Sequence, residues 1–256
     1  MYAICNLSIV PVRREPSDKS EMVTQLLFGE TVQILDKQDS WRKVKLYHDD
    51  HIGWVDKKQL GPLQDEEYER INKLPVSMST DIVQLVIWDT HHVLPVVLGA
   101  SLPGYANKKF RISSTEFSYD GNVVTHSTPD FSRINEHAFM YLNAPYLWGG
   151  RTPFGLDCSG FTQMVFKLCG YRLKRNSDEQ ATQGKIINMI SESRPGDLAF
   201  FENTDGKIVH VGIILADNKI MHASGRVRID KIDHQGIFNE DTKQYTHALR
   251  VIRRFV

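Results

Sequence analysis

The feature that most restricts the fold of this chain is the grain of its apolar residues. Over much of its length they fall in runs of about four to eight, separated by clusters of Gly, Asp and Ser, which is the texture of strands and tight turns. Residues 1–60 read this way, with strands expected at 8–10, 22–27, 31–35, 41–46 and 52–55 and a turn at Phe28-Gly29-Glu30. Such short, closely spaced strands predict a small β-barrel over residues 1–62, with Trp41 and Trp54 packed in its core. Gly61-Pro62 breaks the pattern, and the polar, acidic residues 64–73 read as a linker or short exposed helix. Apolar runs at 82–88 and 93–98 and a Tyr119-Asp120-Gly121-Asn122 turn predict a second, more divergent barrel over residues 63–129.

From about Asp130 the spacing changes. Residues 131–142 carry apolar side chains at 131, 134, 138, 139 and 142, close to helical spacing, with Pro145 as a stop. A second helix follows Asp157-Cys158-Ser159-Gly160, with Phe161, Met164, Val165 and Leu168 at intervals of three and four and Gly170 placed just past its end. Strands then resume at 197–201, 208–215, 219–223 and 249–255, joined by turns such as Asp205-Gly206 and Asp217-Asn218. An early helical region followed by a run of strands makes residues 130–256 an α+β domain.

With 31 Lys plus Arg against 31 Asp plus Glu, charge gives no reason to expect a nucleic acid or an anionic membrane as partner. The apolar stretch 82–98 is interrupted by Asp89, His91, His92 and Pro95, which excludes a spanning helix of ~20 apolar residues. The first ten residues lack a basic segment and a small-residue cleavage site, so no signal peptide is read and a cytoplasmic location is the expectation. Oligomeric state is not legible. Three cysteines, Cys5, Cys158 and Cys169, stand at no metal-ligand spacing and form no disulfide framework.

One of those thiols has the setting of a nucleophile. A thiol attacks as thiolate, and a helix start, with its unpaired N–H groups and macrodipole, stabilises an anion. Cys158 is placed there, among small and polar neighbours that suit an exposed turn, whereas Cys169 lies at the opposite end of the same helix and, like Cys5, reads as structural. A histidine base is then required. His210 interrupts the apolar strand 207–214, with Gly212 on the same face leaving space beside it. His222 closes the next strand, and a hairpin between the two would let it accept from one ring nitrogen of His210 and orient the other toward the thiol. No metal and no cofactor is called for.

Read in order, Tyr146-Leu147-Trp148-Gly149-Gly150, Asp157-Cys158-Ser159-Gly160, Arg194-Pro195-Gly196-Asp197-Leu198, His210-Val211-Gly212-Ile213 and His222-Ala223-Ser224 resemble the motif set of the NlpC/p60 cysteine peptidases. The earlier Val12-Arg13-Arg14-Glu15-Pro16, residues 25–30, Trp41-Arg42-Lys43-Val44 and Gly53-Trp54-Val55 resemble the marks of bacterial SH3-like domains. The resemblance implies an α+β protein in which a papain-like NlpC/p60 domain follows two small SH3-like β-barrels. It implies Cys158 as nucleophile, His210 as base and His222 as the orienting third member. The whole chain looks like the subgroup of γ-D-glutamyl-L-diamino-acid peptidases. By that likeness the substrate is a peptidoglycan-derived muropeptide with a free N-terminal L-Ala, cut before Lys or diaminopimelate. Substrate contacts are then expected from Tyr146, Trp148, Asp157, Ser159, Arg175, Asn176 and Ser177, and from Asp50 and His51 of the first barrel. His51 stands where relatives often carry Tyr, and Asn176 where they commonly carry Asp. Two other classes compete: a wall-binding protein with an inactive peptidase domain, which intact Cys158, His210 and His222 argue against, and a thiol acyltransferase acting on lipids, for which no membrane-seeking segment is found.

Overall fold

A computed structural model describes residues 1–89 and 92–255. The chain forms two compact units, Met1–Pro129 and Asp130–Val256.

The first unit opens with β1 (Tyr2–Ile4), β2 (Ile9–Arg13), β3 (Met22–Leu27), β4 (Thr31–Gln38), β5 (Trp41–Leu46), β6 (Ile52–Asp56) and β7 (Gly61–Leu63). They make one antiparallel sheet in the order β3-β2-β6-β5-β4-β1-β7. Alternation does the folding: Val10 and Val12 of β2 and Val44 and Leu46 of β5 point to a core shared with Leu26, Val32 and Val55. Trp41 and Trp54, expected in that core, are half-buried and stand outside it. Gly61-Pro62, read as a break, instead begins β7, whose Pro62 lies opposite Ala3. Proline is tolerated there because β7 is the outermost strand and has no further neighbour needing its missing N–H.

After α1 (Asp65–Lys73) the unit continues with β8 (Val76–Ser79), β9 (Val83–Trp88), β10 (His92–Val97), β11 (Lys109–Ile112), β12 (Thr115–Ser118) and β13 (Val123–His126). These form a four-stranded sheet, β10-β9-β12-β11, and the pair β13-β8. Ile4, Phe28 and Leu63 from the first part of the unit join Val86, Val96, Phe110 and Phe117 in one hydrophobic cluster. That common core ties residues 1–129 into a single compact body.

In the second unit, α2 (Ile134–Phe139) is shorter than the helix expected over 131–142. Its continuation tightens into turns, Leu142 N–H to Phe139 C=O and Ala144 N–H to Tyr141 C=O, and Asn143 takes a positive φ of 67°. Two short strands, β14 (Arg151–Thr152) and β15 (Gly155–Leu156), precede α3 (Cys158–Leu168) and the single turn α4 (Ser177–Gln180). The sheet consists of β16 (Lys185–Ile187), β17 (Leu198–Glu202), β18 (Ile208–Leu215), β19 (Lys219–Ser224), β20 (Arg226–Ile232), β21 (Gly236–Asn239) and β22 (Gln244–Arg254). Its order is β16-β22-β17-β18-β19-β20-β21, and β21 also pairs with β22, closing six strands into a barrel around Ala199, Phe201, Ile214, Ile220, Ile232, Ile237 and Ile252.

All eleven residues of α3 are buried. The helix ends in a Schellman motif: Gly170, at φ 78°, donates to Lys167 C=O at 2.8 Å and Tyr171 donates to Phe166 C=O at 2.9 Å. Among the described residues, no helix is long and apolar enough to cross a membrane.

Candidate active site

Cys158 is the first residue of α3, and the residue before it caps the helix. Asp157 Oδ1 accepts from the Gly160 N–H at 2.7 Å and the Ser159 hydroxyl at 3.2 Å, while Oδ2 accepts from the Gly149 N–H at 2.8 Å. Arg175 completes the set, its Nη1 donating to Oδ1 at 3.0 Å and its Nη2 to Oδ2 at 2.6 Å. Asp157 and Arg175 are 6 % and 1 % exposed, so this is a buried ion pair whose charges are satisfied by one another and by N–H groups. The glycines serve the same junction: a Cβ on Gly160 would lie 2.2 Å from the Gly150 carbonyl oxygen. The carboxylate thus locks the loop of residues 146–150 onto α3.

The thiol does not sit in the exposed turn that its neighbours suggested. Cys158 is 8 % exposed, and burial, then the nearby Asp157 charge, push its thiol up to about 12, against N–H groups of Val211 and Ser159 and the Arg175 charge that favour the thiolate. Burial, with Asp130, likewise pushes Cys169 up to about 12. Burial therefore opposes the low thiol pKa expected from the helix start.

The Val211 N–H that faces the sulfur is next in the chain to His210. β18 and β19 pair as the hairpin reading expects, Gly212 lying opposite His222, and His210 Nε2 is 2.9 Å from His222 Nδ1. The space beside Gly212 is not left for a reacting group, as the sequence suggested. A Cβ there would come 2.9 Å from His222 Cβ and 2.8 Å from Ile220 Cδ1, so the glycine makes room for His222 itself. His210 is held well below the ordinary histidine range by burial and then by His247 and His222, which keeps it a neutral imidazole.

Three residues of this site escaped the sequence reading. His222 Nε2 is 2.9 Å from Asp230 Oδ2, and Arg228 contacts the same carboxylate with Nε at 2.7 Å and Nη2 at 2.8 Å. His247 stacks on His210 with ring centroids 4.1 Å apart. Asp230 and Arg228 lie on β20, which was not anticipated because its alternation is interrupted by charged side chains. The one usable signal was an Asp among branched apolar residues, Val227, Ile229 and Ile232, in a strand-sized run.

His210, His222 and His247 offer nitrogen atoms all within 4.8 Å of one another, the one group among the described residues that could gather a metal ion. Two of these nitrogens are already hydrogen-bonded to each other and the third ring is stacked, so an ion held by all three would have to part the pair.

Of the remaining expected contacts, Tyr146 lies close enough to feel the site: burial, then the Cys158 and Asp157 charges, raise its phenol to about 12. Trp148 is 60 % exposed at the same loop. Ser159 is turned inward, donating to Asp157 and accepting from Arg175 Nη1 at 2.9 Å. With five donors on its two oxygens, Asp157 has its acceptor capacity used within the chain. Asn176 caps α4 in a capping box with Glu179, and Ser177 is the first residue of that turn. Asp50 and His51 belong to the first unit, where Asp50 pairs with Lys45 at 2.9 Å and His51 donates its backbone N–H to Asp49 at 2.9 Å.

Comparison with known proteins gives the family. The NlpC/P60 family matches residues 143–248, and the bacterial dipeptidyl-peptidase Sh3 domain matches residues 12–60. A gamma-D-glutamyl-L-lysine dipeptidyl-peptidase of Bacillus subtilis is 32% identical over 222 residues, covering 78% of this chain and 71% of the relative. Dipeptidyl-peptidase 6 of Lysinibacillus sphaericus is 26% identical over 92% of this chain and 93% of its own. The crystal structure of an NlpC/P60 family protein from Bacillus cereus shares the fold, with a TM-score of 0.82 over 99% of each chain at 22% identity.

Proposed function

The chain belongs to the NlpC/P60 family and is a peptidase, and from that premise we propose that it hydrolyses the bond between γ-linked D-Glu and Lys or diaminopimelate in peptidoglycan-derived peptides with a free N-terminal L-Ala. The observation that carries the reading is the unbroken line of hydrogen bonds from Asp230 through His222 to His210, ending one residue from the N–H that faces the Cys158 sulfur. The names of the relatives, dipeptidyl-peptidases acting on gamma-D-glutamyl-L-lysine, supply the substrate class.

In this reading the neutral pair is the resting state. His210 takes the thiol proton as the Cys158 sulfur attacks the γ-glutamyl carbonyl, and the imidazolium then gives that proton to the leaving amine of the diamino acid. Water, deprotonated by the same imidazole, releases L-Ala-D-Glu from the thioester. The Cys158 backbone N–H, at the start of α3, would hold the oxyanion; one such donor is commonly worth ~2.7–4 kcal/mol.

Mass spectrometry after incubation with L-Ala-γ-D-Glu-L-Lys and its diaminopimelate analogue tests the proposal, with release of L-Ala-D-Glu expected from at least one. Neither peptide being cut would overturn it. Equal rates on the N-acetylated peptide would remove the requirement for a free amine and make the enzyme an endopeptidase.

A further inference from the structure

The hydrogen-bond line that ends at His210 begins at a carboxylate, and its polarity can be read residue by residue. His222 is 1 % exposed, and each of its ring nitrogens meets one partner: Nδ1 faces His210 Nε2 and Nε2 faces Asp230 Oδ2, both at 2.9 Å. An ionised carboxylate only accepts, so the proton of a neutral His222 must sit on Nε2. Nδ1 is then bare and can only accept, which obliges His210 to carry its own proton on Nε2 and leaves His210 Nδ1 as the free base. Were the His222 proton on Nδ1 instead, His210 Nε2 would have to accept and its remaining nitrogen would hold the hydrogen, useless to a thiol.

We propose that Asp230, braced by Arg228, is a positioning residue that sets the tautomers of both imidazoles and thereby makes His210 Nδ1 the proton acceptor. Arg228 donates from Nη2 to Asp230 Oδ1 at 2.8 Å, its Nε lies 2.7 Å from Oδ2 as an ion-pair contact, and Asp241 lies 2.9 Å from the same Nη2. Burial pushes the Asp230 carboxyl up, but the hydrogen bonds from His222 and Arg228 outweigh it and hold the group below the usual carboxylate range, so it stays an acceptor. The strand register makes the contact: Arg228 lies opposite His222 and Asp230 opposite Ile220, placing Arg228, Asp230 and His222 on one face. His247, stacked on His210, covers a face of that ring and limits its rotation. The inference rests on the peptidase reading only for what the freed nitrogen does; the tautomers themselves are a property of the folded chain.

Nitrogen NMR of imidazole-labelled full-length protein reads the tautomers without substrate. Both His210 and His222 should carry their proton on Nε2, and Asp230→Ala should lose that ordering. On the L-Ala-γ-D-Glu-L-Lys peptide, Asp230→Ala should lower kcat roughly 10- to 100-fold, the usual cost of removing a partner that orients an imidazole from behind, with KM little changed. Asp230→Asn, whose amide oxygen can still accept from His222 Nε2 although its NH2 then faces the Arg228 Nη2 donor, should recover part of that loss. In a His222→Gln chain, whose side-chain amide needs no tautomer set, Asp230→Ala should cost at most about threefold, because the two residues act as one unit. Unchanged His210 and His222 tautomers in Asp230→Ala, or equal losses in the two backgrounds, would overturn the proposal. Should Asp230→Ala not fold, Asp230→Leu, which fills the space without an acceptor, takes its place with the same expected outcomes. Ordered tautomers in a chain that cuts no muropeptide would count against the substrate reading and not against this one.

Discussion

The two units bury different things. Among the described residues of 1–129, ion pairs such as Lys45–Asp50, with side chains 40% and 56% exposed, lie at the surface around aliphatic and aromatic cores, and the buried acids Glu30 and Asp49 are few. In residues 130–256 charge goes inside: Arg175–Asp157 at 2% and 8%, Arg228–Asp230 at 20% and 4%, and Arg254–Asp197 at 16% and 4%. Burying an ion costs several kcal/mol unless a partner and further hydrogen bonds offset it. A chain that does so repeatedly in one unit is spending stability on fixed geometry, and two of these three pairs border the Cys158 and His210 neighbourhood. The contrast teaches that buried ion pairs, where they cluster, mark a candidate site as well as a fold.

The sharpest way to break this contrast uses thiols, because Cys5 and Cys158 are both buried but lie in different units. Turnover of the γ-glutamyl peptide should vanish in Cys158→Ala and persist in Cys5→Ala; equal losses would show that burial alone, not site chemistry, makes Cys158 matter. Next in size is the Arg175–Asp157 pair. Arg175→Met strands a buried carboxylate and should destabilise by about 3–5 kcal/mol, read by urea unfolding and by hydrogen exchange in α3. Intermediate effects come from pH. His247 is held down at about 4 by burial and then His222, below its ordinary 6.5, so the unfolded chain binds its proton first. Its contribution to stability should be complete above about 6.5 and be lost progressively as pH falls toward 4, and His247→Phe should flatten that part of a melting-temperature profile. An unaltered profile in His247→Phe would place the acid sensitivity elsewhere. The smallest effect belongs to the first unit: Lys45→Met should cost no more than about 1 kcal/mol, as exposed pairs do.

Much of the fold is legible in the sequence alone. Gly170 closing α3, the pairing of β18 with β19, and the strand at 22–27 follow from local spacing and turn residues. The β7 strand was not legible, because Pro62 signals a break unless one knows that its strand is an edge. At the site, the ordered motifs pointed to Cys158, His210 and His222, and the hairpin put the two rings within reach. Asp230 was missed because nothing local says that a charged residue in β20 faces inward, and His247 because its strand reaches His210 only when the barrel closes through β21 and β22.

What the sequence by itself determined is local in origin: apolar periodicity set strand and helix identity, Asp157 and Gly170 set the ends of α3, and the spacing of His210 and His222 set a hairpin that joins them. The tertiary structure decided everything that depends on which surfaces lose water. It placed Arg175 against Asp157 and Asp230 against His222, and it buried a helix-start thiol, which pushes against the ionisation that the helix start favours. The physical reason is that dihedral preferences and side-chain periodicity act within a few residues, whereas desolvation and charge pairing depend on neighbours that only the closed fold brings together.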